Sequence, residues 1–96
     1  MNLTGKQLIR GTQRAIGNET FPSIHAATGS TRDQSFYEAT DEEINDAVMG
    51  AVDAFETFGT TAHTARAKFL RTIAEEIELL GEILLETASH ESGLGL

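Results

Sequence analysis

From Thr40 onward, apolar residues recur at spacings of three and four, the period that lines one side of an α-helix. Ile44, Ala47, Val48, Ala51, Val52 and Phe55 form the first stripe. The residues ahead of it, Thr40-Asp41-Glu42-Glu43, make a capping box. The threonine oxygen takes a backbone N–H, Glu43 reaches back, and the acids favour the positive helix end. The pattern predicts a helix over 41–58, closed by Gly59 in the left-handed conformation. Thr60 and Thr61 offer the next N-cap, and Phe69, Leu70, Ile73, Ile77, Leu80 and Leu84 form a second stripe that runs toward Ala88. Gly81 interrupts it. A glycine costs about 1 kcal/mol relative to alanine inside a helix, enough to favour a break. Two further helices are therefore predicted, over 62–80 and 82–92, with Gly93-Leu94-Gly95 as the end of the last.

Upstream the pattern differs. Between Lys6 and Tyr37 the apolar or β-branched runs are short: Gln7-Leu8-Ile9, Thr20-Phe21 and Ser35-Phe36-Tyr37, punctuated by Gly11, Gly17, Asn18, Pro22 and Gly29. A turn at Gly11-Thr12 is expected to join strands 7–10 and 13–16. An isolated two-stranded hairpin is only marginally stable, so it needs a surface to lie on. The fold class read from the pattern is α+β: short strands or a hairpin, then two to three helices. Residues 1–39 form an irregular strand-and-turn part and 40–96 a helical part.

Size and charge narrow the picture. A chain of 96 residues buries only about 60–65% of its unfolded surface on folding, so its core is marginal. Its net charge of −8 opposes binding to nucleic acid or to an anionic membrane surface. No apolar run approaches the ~18 residues of a membrane helix, and the opening residues lack a secretory pattern. A cytoplasmic protein is expected.

Candidate chemistry is sparse. Cysteine is absent, which removes disulfides, thiolate metal sites and a thiol nucleophile. His25, His63 and His90 fall in a turn, a helix entry and a helix end, with no pairing motif that would converge them on a metal. Glu86 and His90 share a helix face beside Glu91, at best a weak ion site. Helix capping accounts for Asp41, Glu42 and Glu43. Gly93-Leu94-Gly95 has no strand before it and no helix after it, so it is not a phosphate loop. Glu75, Glu78, Glu82 and Glu86 make an acidic ridge opposite the apolar stripe, either a solvated face or a surface for a basic protein partner. Arg66 lies on the apolar side with Phe69, Leu70, Ile73 and Ile77. It calls for a carboxylate, or else lays its stem on the core edge with its head in water. No catalytic, cofactor-binding or metal-ligating residue is assigned.

The segment from Ala47 to Leu94 resembles the N-terminal helices of aldehyde dehydrogenases. These show an A-x-x-A-F run, then R-x-x-x-L-x-x-I-A-x-x-I, then E-[ST]-G. Here they are Ala51-Val52-Asp53-Ala54-Phe55, then Arg66 through Leu70 with Ile73-Ala74 and Ile77, then Glu91-Ser92-Gly93. Ala27-Thr28-Gly29 matches part of the family's N-P-A-T-G turn, with His25 and Ala26 where asparagine and proline are usual. Arg66-Ala67-Lys68-Phe69-Leu70, Glu76-Ile77-Glu78 and Glu91-Ser92-Gly93-Leu94 look most like the branch that oxidises 2-oxoglutarate semialdehyde, also called 2,5-dioxovalerate. The resemblance implies an α/β parent enzyme that is a homo-oligomer and uses NAD or NADP. It places the family's catalytic cysteine, glutamate base, oxyanion asparagine and glycine motif beyond Leu96. This chain would then be a scaffold, inactive alone, partnered by the remainder of the parent. The alternative is an acidic helical protein-interaction module.

Overall fold

The computed structural model describes residues 2–96; Met1, the first residue of the expected 1–39 part, lies outside them. Four short strands precede three helices: β1 (Gln7–Ile9), β2 (Thr12–Arg14), β3 (Thr20–Ile24), β4 (Thr31–Tyr37), α1 (Asp41–Phe58), α2 (His63–Leu79) and α3 (Gly81–Ser92). The strands form two separate antiparallel pairs, β1 with β2 and β3 with β4. The α+β reading of strand pairs followed by three helices therefore holds.

The first hairpin turns one residue earlier than its sequence suggests. Ile9 faces Thr12, so the two-residue loop is Arg10-Gly11 and not Gly11-Thr12. Both loop residues have positive φ, 53° and 76°, the conformation whose twist matches that of the flanking strands. Glycine adopts it freely, whereas Arg10 is the only non-glycine residue with positive φ among the described residues. In the second pair Phe21 stands opposite Phe36, and their rings stack at 5.8 Å. The register shifts between Pro22 and Ile24, as expected for a proline that cannot donate to a ladder.

The capping box forms as the sequence predicts. The Thr40 hydroxyl oxygen accepts from the Glu43 N–H, and Glu43 Oε1 accepts from the Thr40 N–H at 3.1 Å. Helix α1 has the predicted bounds, but its end differs: Gly59 is right-handed at φ −64° and donates to Phe55 and Thr57 carbonyls. A left-handed Gly59 is unnecessary because the chain continues in tight turns, where the Thr60 and Thr61 N–H groups bond to Thr57 and Phe58. Their hydroxyls also donate to the Thr57 carbonyl. They therefore serve α1, and the N-cap of α2 is Ala62, without a side-chain bond. The break at Gly81 is present, with φ +62°, and Gly93 closes α3 in the left-handed conformation at φ 77°.

Helix α1 packs on β1 and α3 on β3, while α1 and α2 meet through Phe58 and Phe69, edge to face at 5.8 Å. Little of this is core. Ile9 is the one buried hydrophobic residue among those described. The radius of gyration is 16.7 Å, against roughly 12–13 Å for a compact domain of this length.

Candidate docking site

Two polar clasps hold the strands to the helices. In the first, the turn residue Arg10 projects across α1. Its Nε donates to Asp46 at 3.0 Å and its Nη1 to Asp53 at 3.1 Å, while Arg14 Nη2 reaches the other Asp46 oxygen at 2.9 Å. Gly50 lies between the two acids, and a Cβ there would sit 3.0 Å from Arg10 Cγ. The spacing 46, 50, 53 thus puts acid, gap and acid on one helix face. The hydrogen bonds to Asp53 and then Asp46 raise the Arg10 pKa above its already high ordinary value, against the opposing effect of desolvation. Glu43, one turn before Asp46, is fully buried. Its Oε1 serves the cap, while its Oε2 has no hydrogen-bond partner.

In the second clasp the turn after β3 meets the last turn of α3. The Ala26 N–H donates to the His90 carbonyl at 2.8 Å, and the His25 and His90 rings lie 5.0 Å apart, tilted by 31°. Arg32 Nη1 adds contacts to Glu91 at 3.3 Å and to Ser23 Oγ at 3.4 Å. The sequence reading left the histidines apart, and the structure brings two of them together. Among the described residues there is no group of three or more His, Cys, Asp or Glu that could hold a metal ion. His63 lies elsewhere, its Nδ1 2.9 Å from Arg66 Nη2. Arg66 itself is half-buried.

The glycines near the end do not fit a dinucleotide. Gly93 caps the C-terminal end of α3, where carbonyls and the negative end of the helix dipole repel a pyrophosphate. The acidic ridge is divided between two helices. Glu75 and Glu78 belong to α2, Glu82 and Glu86 to α3, and the positive φ at Gly81 redirects the chain between them.

What remains is apolar and uncovered. On α1, Ile44, Val48, Val52 and Phe55 are exposed, Phe55 to 72%. On α2, Phe69, Ile73 and Ile77, with Leu80 just past the helix end, line an open groove with Thr72 and Glu76. Side chains of this size contribute about 1.5–3 kcal/mol each when buried. Contiguous exposure on this scale marks a docking surface.

Comparison with known proteins shows the family of a chain with these helices and clasped strand pairs. The model of the aldehyde dehydrogenase family matches residues 13–96, and the chain belongs to that family. It is 39% identical over 92 residues to the alpha-ketoglutaric semialdehyde dehydrogenase of Acinetobacter baylyi, a match covering 96% of this chain and 18% of the relative. It is 36% identical over 95 residues to alpha-ketoglutaric semialdehyde dehydrogenase 2 of Azospirillum brasilense, covering 98% of this chain and again 18% of the relative. The chain thus spans about a fifth of the length of these curated relatives. No solved structure matches it. Among the described residues, no helix is long and apolar enough to cross a membrane.

Proposed function

We propose that this chain is the N-terminal scaffold of an NAD(P)-dependent aldehyde dehydrogenase that oxidises alpha-ketoglutaric semialdehyde to the carboxylate. The observation that carries the reading is the set of bare apolar faces on α1 and α2, with Ile9 the one buried hydrophobic residue among those described. Such faces need a sheet or helix layer to cover them, and the family relatives are some five times longer than the matched segment. Residues 1–39 then form the strand part, and residues 40–96 the first helices of the cofactor-binding domain. The working protein is a cytoplasmic homo-oligomer.

The chemistry belongs to the rest of the enzyme. A thiolate attacks the aldehyde, a nicotinamide supplies the hydride acceptor, and a base activates the water that releases the acid. This chain has no thiol to offer. Its own residues hold helices in register: Thr40 and Glu43 fix the entry of α1, and Arg10 and Arg14 fix the hairpin against it.

The test compares the 96-residue chain with the full-length parent, each given alpha-ketoglutaric semialdehyde and either nicotinamide cofactor. Formation of reduced cofactor by the parent alone is the expected result. Turnover by the short chain, or a parent that oxidises no aldehyde, overturns the reading.

A further inference from the structure

The uncovered face of α2 is not purely apolar. Arg66 lies three residues before Phe69 and seven before Ile73, a spacing that puts it on the helix side of Phe69, Ile73 and Ile77, which line the groove with Leu80. Arg10, Arg14 and Arg32 each take a carboxylate from within the chain. Arg66 has no carboxylate partner among the described residues, and its side-chain contact is the ring nitrogen of His63. An imidazole nitrogen satisfies one of five guanidinium N–H groups and supplies no negative charge. Any layer that covers the groove also strips water from this guanidinium, and a buried arginine persists only when paired and hydrogen-bonded.

We propose that α2 docks against a segment of the same polypeptide that is apolar except for one Asp or Glu, whose carboxylate receives Arg66 while its neighbours fill the groove. The inference rests on the reading of this chain as part of a larger dehydrogenase. It adds the chemistry of the covering element: a hydrophobic contact that supplies area, and a fork-shaped ion pair that fixes register along the helix. The occupant is the parent chain itself because some four-fifths of the relatives' length lies outside the match.

The test is the structure of the full-length parent, with its thermal stability as a second measurement. Expected is a carboxylate oxygen within about 4 Å of the Arg66 guanidinium, on a segment of the same subunit that covers Phe69, Ile73 and Ile77. Arg66 bonded to His63 and water alone, or a groove filled by a second subunit, overturns the proposal. In the melt, Arg66→Met is expected to lower the midpoint by roughly 5 °C or to prevent folding, and His63→Ala to change it by about 1 °C or less. Equal shifts from the two substitutions would make His63 the whole of the Arg66 environment and count against a carboxylate. Aldehyde oxidation is read separately, so a parent with the ion pair but without dehydrogenase activity defeats only the functional reading.

Discussion

The strand side of the molecule and α2 are held by different forces. The strands are tied to α1 and α3 by ion pairs and a backbone hydrogen bond between residues far apart in sequence, such as Arg10 with Asp46 and Ala26 with His90. Helix α2 has no such tie; its long-range contact is the edge of Phe69 against Phe58. Its large side chains are largely uncovered: Leu70 is 65% and Ile77 51% exposed. Polar contacts can position elements, but a surface ion pair is worth only about 0–1 kcal/mol, whereas burial of an apolar face is worth several times more. The clasps therefore set an arrangement that the covering layer must stabilise.

The comparison breaks most completely when the covering layer is removed. The 96-residue chain alone is expected to melt without a cooperative transition and to bind a hydrophobic dye, as read by calorimetry and fluorescence; a sharp two-state melt would contradict it. Within the parent, Phe69→Ala is expected to cost about 3–5 kcal/mol by denaturant titration, the range for a truncated core aromatic. A loss no larger than that of a surface substitution would place the groove in solvent. On the strand side, Thr40→Ala removes the hydroxyl that accepts from the Glu43 N–H to cap α1 and donates to the buried Glu43 carboxylate. Its expected cost is about 1–2 kcal/mol, accompanied by faster amide exchange over residues 41–45. The smallest effect belongs to His90→Ala, which removes the ring stack and keeps the carbonyl that holds Ala26. A loss of about 0.5–1 kcal/mol is expected, with exchange at the Ala26 amide still slow; rapid exchange there would show that the rings hold the clasp.

Legibility followed the range of the contact. The Thr40–Glu43 box spans three residues, the stripes repeat every three or four, and the Gly81 break and the Gly93 end act where they stand; each was readable because cause and effect lie within one helical turn. Gly59 and the Thr60-Thr61 pair show the limit of such rules. The residue types were right for a left-handed cap and an N-cap, but a neighbouring turn took up the same backbone groups. The hairpin slipped by one residue because Arg10 accepts positive φ, a conformation that residue preference argues against. The Arg10, Arg14, Asp46 and Asp53 network and the His25–His90 stack have no period at all. Only the spacing Asp46, Gly50, Asp53, two acids flanking a glycine on one face, hinted that something basic would lie across α1.

The bond from the Ala26 N–H to the His90 carbonyl limits how this protein can be recombined with its relatives. Proline, usual at that place in the family, has no amide hydrogen to give. A chimera that imports a relative's N-P-A-T-G turn would thus lose the strand-to-α3 bond and the histidine stack together, unless the end of α3 is imported with it.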